Sequence, residues 1–434
     1  IFKIKTLKNW NMKLFNLLFL SSLLCCLFAL TSCEKEDDKP VFEQGKILPN
    51  GSTLEGDLSS NIVLSEGNTY FLRGGVHVKS GNILTIQKGV TVKSDPNEPT
   101  PAYLLIEPGA KISAIGTMDA PIVFTSGKSD PKVQDWGGII LCGKAVLNVA
   151  GGSAVSEMGG IPYGGTDDQD NSGIIQYVRV EYTGQKASND KEHNGFTFEG
   201  VGSGTIVDHI AVYKGADDGI EFFGGTVNVK YAFVYGAQDD NFDWTYGWRG
   251  KGQHWVAIQA SDAADRGIEA DNNGDNQVAF PYSDPLISNV TLIGAKINNE
   301  TRAIKLREGT KGRIYNVVVY GFDKGVEVEH DPTLDNMNKG ALILANSYIG
   351  NTSPWSFKKS DGTKVNESVF TSSEYFNIVK ESNASPEFLS NVFIGVHSTN
   401  AKDPKQLDNW FDTANFIGAV NPNNNWTDKW TRFE

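Results

Sequence analysis

The chain has 434 residues, a formal net charge of −13 and a charged fraction of 21%. That excess of acid argues against nucleic acid or an anionic lipid surface as a partner, because both are bound through clustered Lys and Arg. The 46 glycines and an aromatic content of 11% suit a chain rich in tight turns and β-structure.

The first segment is basic and then apolar, MKLFNLLFLSSLLCCLFALTSC from Met12, and Met12 is the expected start. Asn16, Ser21 and Ser22 interrupt the apolar run, so residues 1–32 read as a removed signal peptide rather than a membrane span. Leu30-Thr31-Ser32-Cys33 resembles the bacterial lipobox, which implies that Cys33 carries lipid as the first mature residue. Residues 1–32 hold four lysines and no acid, so their removal takes the charge from −13 to −17. Cys25 and Cys26 leave with the signal. Cys142 is then the remaining thiol; it sits in the apolar run GGIILCG, no disulfide framework exists, and its expected role is to fill core. The run EKEDDK after Cys33 resembles the acidic surface-export tag of Bacteroidetes lipoproteins, which implies the outer face of the outer membrane; otherwise it is a solvated linker. Residues 33–50 form a flexible tether in either case.

From residue 51 the pattern changes to short strands. VHVKSGNILTIQKGVTVKS and AYLLIEPGAKISAIGTMDAPIVFTS alternate apolar and polar residues around turns at Lys88-Gly89 and Pro108-Gly109. Gly-rich stretches at 150–173 and 183–194 read as loops projecting from corners. Then VDHIAVYKGADDGIEF at 207–222 matches VKYAFVYGAQDDNFDW at 229–244 without a gap, at a period of 22 residues. That is the length of one solenoid coil, and two strands with a corner per coil predict an all-β chain folded as a parallel β-helix. The expected β-helix runs over 51–400, with loop insertions. Residues 401–434 form the expected C-terminal cap, QLDNWFD supplying a short helix over the open end.

Stacked coils place equivalent residues above one another at roughly 4.8 Å. Asp217 lies over Asp239, Asp218 over Asp240 and Glu221 over Asp243. Continued with small gaps, the register gives a column of Thr197, Glu221, Asp243, Glu269, Lys305 and Glu327. Its neighbours Phe196, Ile220, Phe242, Ile268, Ile304 and Val326 are all apolar. Period-2 alternation turns the apolar column inward, which predicts an exposed charged stripe with Arg266, Arg302, Lys305 and Arg307 toward one end.

These segments, with DWGGIILCGKAVLN at 135–148, DDGIEFFGGTVNVKY and the closing NWFDTANFIGAV, resemble a group of Bacteroidetes surface lipoproteins with a pectate-lyase-like right-handed β-helix. The resemblance spans nearly everything from about residue 60 onward.

Three constellations carry possible chemistry. Asp217, Asp218, Glu221, Asp239, Asp240, Asp243 and Glu269, with Asp271 beside them, repel one another at coil spacing and need compensation. They cap corners by accepting backbone N–H bonds, hold a structural ion, or form a functional cation or acid site; Ca²⁺ suits clustered hard oxygens. The basic end supplies Lys305 and Arg302. Polysaccharide lyases of this fold neutralise a uronate with a cation while Lys or Arg removes the α-proton, so the resemblance implies those two as catalytic bases. The plainer alternative pairs them with Glu269, Glu327 or Glu308. Third, FDWTYGWRGKGQHW at 242–255 alternates Trp244, Tyr246 and Trp248 ahead of Arg249, a substrate-binding face if the rings point outward and a sheet-covering ladder if they do not. The polygalacturonase branch of the fold is disfavoured: RAIK at 302–305 carries an extra Ala and Gly-His-Gly is missing.

The expectation is therefore a lipid-anchored surface β-helix that binds extracellular glycan. A Ca²⁺-dependent polysaccharide lyase acting on uronate glycan and a purely structural or adhesive surface protein are the alternatives.

Overall fold

In the computed structural model the described residues run from Gly45 to Phe433, omitting 98–99, 187–192, 297–299, 367–368, 388, 390–392, 395–399 and 422. The expected signal segment and Cys33, the expected lipidation site, lie outside them.

Twenty-six of the strands form one continuous sheet, wound so that each strand pairs in parallel with its equivalents in neighbouring coils. The fold is a parallel β-helix, right-handed as expected. The 22-residue repeat sets the register: Val207 stands opposite Val229, Tyr213 opposite Tyr235 and Glu221 opposite Asp243. The inward column Phe196, Ile220, Phe242, Ile268, Ile304 and Val326 is almost wholly buried and belongs to one core running along the axis. Coiling starts before residue 51, since Lys46–Ile47 already pairs with Ile62 and Val63, so the tether is shorter than expected.

The long strands bend at one position in each coil. Tyr177, His209, Tyr231, His254, Asn289, Asn316 and Asn346 all have φ between 52° and 61°, the left-handed region that side chains other than Gly enter at a cost and Asn and His enter most readily. The bend turns these side chains outward in a file. Tyr177, His209, Tyr231 and His254 stack ring on ring with centroids 4.1, 4.3 and 4.9 Å apart.

Residues 401–434 do not close the end of the solenoid. They lie along its flank, running back over the bend file toward the amino-terminal coils. Asn316 Nδ2 donates to Lys402 O while Asn316 Oδ1 accepts from Lys402 N at 2.8 Å. Asn289 Nδ2 donates to Phe416 O and Gly418 O, and His254 Nδ1 bonds Ala419 O. Arg179 reaches Trp430 O, and Lys429 pairs with Asp119 at 2.6 Å. Trp426 and Trp430 are buried in a second apolar cluster with Tyr213, Phe233 and Val256. QLDNWFD forms no helix: the 3₁₀ turn Pro404–Gln406 ends at its first residue. Its acids are instead spent on the flank: Asp408 pairs with Lys251 and Asp412 with Lys230.

Asn316→Gly keeps the left-handed backbone while removing the anchor of the strap. Amide exchange should quicken at residues 402–420 and stay unchanged in the coils; an unaltered pattern would show that the side chain does not hold the segment.

Candidate functional site

The charged column forms in the expected register: Thr197, Glu221, Asp243, Glu269, Lys305 and Glu327 are successive Cα partners. It faces away from the core, yet it is not an exposed stripe. Thr197, Glu269, Lys305 and Glu327 are buried, and Glu221 and Asp243 are only partly open. The 150–173 stretch, expected to project, folds back over the sheet instead. It carries the antiparallel hairpin Ala154–Val155 with Pro162–Tyr163. Met158 and Tyr163 pack on Leu105, Ile140 and Cys142, apolar residues on the outer face of the sheet that would otherwise meet water.

The covered stripe divides by charge. At one end every acid has a basic partner. Arg266 reaches Asp240 at 3.5 Å and Glu269 at 2.9 Å, and Arg307 holds Glu269 and Asp271. Arg302 pairs with Glu327 at 2.9 Å and Lys305 with Glu329 at 3.3 Å, while Lys358 joins both glutamates. Neither proposed catalytic base is free, which favours the plainer pairing and weighs against the lyase assignment. At the other end Asp218, Glu221 and Asp243 make no ion pair among the described residues.

Corner capping accounts for part of the acid. Asp218 Oδ1 accepts Asp240 N at 2.9 Å, and Asp240 Oδ1 accepts Arg266 N at 2.8 Å. Asp217 and Asp239, one residue earlier, stay nearer solvent. Oxygens of Asp218, Glu221 and Asp243 still fall within 4.8 Å of one another, a donor set that fits one hard cation. Glu269 fits it poorly, being held by two arginines.

Trp244 and Trp248 are corrections to the aromatic face. Both are fully buried. Alternation from Phe242 points Trp244 inward, where Nε1–H donates to Thr310 Oγ1. Tyr246 and Gly247 then take left-handed φ values of 52° and 82°, so the strand turns and Trp248 folds into the core against Phe222, 4.1 Å away. A glycan cannot stack on either ring. Tyr246 stays half-buried beside Phe223, and Arg249 is spent in a two-pronged pair with Asp168 at 2.9 and 3.0 Å.

A cavity of about 280 Å³ opens between the hairpin and the unpaired end of the stripe, lined by Ser156, Glu157, His193, Asn194, Thr197, Glu199, Asp217, Asp218 and Glu221. Five of these, Ser156, Glu157, His193, Asn194 and Glu199, were not singled out in the sequence. His193 and Asn194 hold the corner positions of Asp217 and Asp218 one coil earlier, since Phe196 pairs with Ile220. Glu199 pairs in register with Cys142, whose Sγ–H donates to Glu199 Oε2 at 2.9 Å. Glu157 comes from the hairpin. Burial pushes the Glu199 carboxyl up to about 7 and lowers His193 to about 4. Burial, reinforced by neighbouring carboxylates, raises Asp218, Glu221 and Asp243 well above the usual range. The same desolvation raises the Cys142 thiol, which is therefore not a nucleophile at neutral pH.

The chain matches the model of the pectate-lyase-like β-helix domain over residues 56–392. It belongs to that family. No curated protein and no solved structure gave a match. A pectate-lyase-like β-helix is compatible with binding or cleaving polysaccharide, and fold alone decides neither.

Folded Glu199 keeps a proton that the unfolded chain releases above its ordinary value of 4.5. Its contribution to stability is full below that pH and lost as pH rises through about 7, roughly 3 kcal/mol for a shift of this size. His193 and His254, both lowered to about 4, act oppositely, but only below their ordinary value of 6.5. Relative to the parent, Glu199→Gln should therefore gain melting temperature progressively between about pH 4.5 and about pH 7 and exceed the parent above that window. Parallel curves for parent and variant would contradict the assignment.

Proposed function

We propose that this pectate-lyase-like β-helix binds extracellular glycan, and that its site is the cavity under the hairpin rather than the aromatic run. The supporting observation is that the cavity opens beside Asp218 and Glu221, which make no ion pair among the described residues, and among polar atoms that the protein leaves unbonded: His193 Nε2 and Asn194 Oδ1 are buried without a hydrogen-bond partner. Its volume of about 280 Å³ stands at the small edge of ligand pockets. That suits a chain end or a single sugar residue rather than a run of sugars along the solenoid.

Binding is preferred to lyase chemistry on the state of the bases. Proton abstraction needs an unencumbered amine or guanidine near the cation site, whereas Lys305 and Arg302 are tied to Glu329 and Glu327. If Ca²⁺ is held, the oxygens of Asp218, Glu221 and Asp243 would hold it and neutralise charge there.

In a glycan-retention panel, Thr197→Arg, which fills the cavity and adds a guanidinium, should abolish retention with the melting temperature maintained. Retention should persist in EDTA. Full retention by Thr197→Arg would sink this site. A strict Ca²⁺ requirement would restore the uronate lyase as the better reading, and no retention across the panel would leave the adhesive one.

The surface-lipoprotein assignment belongs to the same proposal, resting on the lipobox-like Leu30–Cys33 and the acidic run that follows. Feeding a clickable fatty acid to cells should label the full chain and leave Cys33→Ala unlabelled. Equal labelling would exclude that cysteine as the anchor.

A further inference from the structure

We infer that the cavity under the hairpin takes an ammonium group, so that the glycan class it selects is amino sugar with a free amine and not uronate. The inference rests on the glycan reading above and names the ligand chemistry of that site.

The argument is one of donors and acceptors. Asn194 spends its amide donors on Glu221 Oε2 and Thr197 Oγ1, leaving Oδ1 buried and unbonded. His193 Nδ1 faces the carbonyl of Gln185, which can only accept; the ring proton is therefore on Nδ1, and unbonded Nε2 presents a lone pair. Both side chains are more than nine-tenths buried and both line the cavity. Beside them Glu221 and Asp218 add carboxyl oxygens that lie within 4.8 Å of each other. Among the described residues, none that lines the cavity is a lysine or arginine. A buried acceptor left unbonded is costly, and here the amide oxygen, the imidazole nitrogen and the carboxylates call for the same kind of partner. An ammonium offers three N–H donors, no acceptor and a compensating charge. A uronate carboxylate offers the reverse: it brings acceptors to acceptors and like charge to the carboxyl groups of Asp218 and Glu221.

The same reasoning separates this cavity from the basic end of the stripe. There the acids are already matched by Arg266, Arg302, Lys305 and Arg307, so an incoming cation would have to displace an internal one.

The test is calorimetric titration of residues 45–434 with three β- or α-linked tetramers: glucosamine, N-acetylglucosamine and galacturonate. Salt near 0.5 M suppresses attraction to the acidic surface at large. The glucosamine tetramer should bind at least tenfold more tightly than its acetylated counterpart, and galacturonate should not bind. Glu221→Gln and Asp218→Asn keep the acceptor oxygens used by Asn194 and by Asp240 N, so each should fold and each should erase most of that tenfold preference. Comparable affinity for the acetylated tetramer, an unchanged preference in both variants, or tighter binding of galacturonate once Ca²⁺ is added would overturn the amine assignment while leaving glycan binding intact. Silence of all three tetramers together with silence in the wider panel would remove both.

Discussion

Everything in this molecule follows from stacking equivalent residues about 4.8 Å apart. A solenoid has no choice over neighbours: whatever a coil carries at one position, the next coil meets at the same position. Inside, that rule rewards repetition, and the stacked Phe, Ile and Val residues make a continuous core. Outside, it penalises repetition of charge. The chain meets the penalty in two ways along one stripe. From Arg266 onward it inserts Arg and Lys into the same columns, so that each carboxylate finds a cation one coil away or on the diagonal. Before Arg266, among the described residues of these columns, it inserts none. The acids there are sunk beneath a hairpin and drawn toward their protonated forms. Charge that is repelled, desolvated and left unmatched is a feature of binding and catalytic sites more than of structural ion pairs.

The register was legible because a gapless 22-residue match leaves one alignment of the coils. It carried correctly across coils of unequal length to Lys305 and Glu327, since an apolar residue on either side pins the parity of a strand. The burial of Trp244 was available from the same alternation that put Phe242 inside. The outward reading of the ring came from counting i, i+2, i+4 through Tyr246 and Gly247, where left-handed backbone ends the strand and parity is lost. His193 and Asn194 were equally within reach, occupying the corner positions of the Asp pairs one coil earlier. What hides them is composition: His-Asn carries no acid at the corner where the next two coils carry Asp-Asp.

The hairpin roof was harder to see, although a trace of it exists. The runs around Leu105 and Ile139–Cys142 do not alternate; they are apolar on both faces, which in a strand means cover on both sides. That trace says that something lies over the sheet without saying what. The partner, residues 150–173, is Gly-rich and polar and resembles any exposed loop, with Met158 and Tyr163 as its few apolar contacts. The flank position of residues 401–434 has the same origin. Its anchors are backbone carbonyls meeting side chains at the bend file, and a backbone acceptor has no signature in composition.

That flank segment alters how the whole solenoid holds together. A stack of coils bonded only to nearest neighbours can fray from either end, losing one repeat at a time. Here a single stretch of chain is fastened at Asn316, His254, Arg179 and Asp119 in turn, and the Lys429–Asp119 pair closes a loop of 310 residues. Coils far apart along the axis thereby share one fastening, so that opening any of them strains the others' hold on it. The arrangement converts a modular array into a cooperative unit, and it delays completion: the early coils gain their outer cover only after the final thirty or so residues have arrived, a long-range closure of the kind that slows folding.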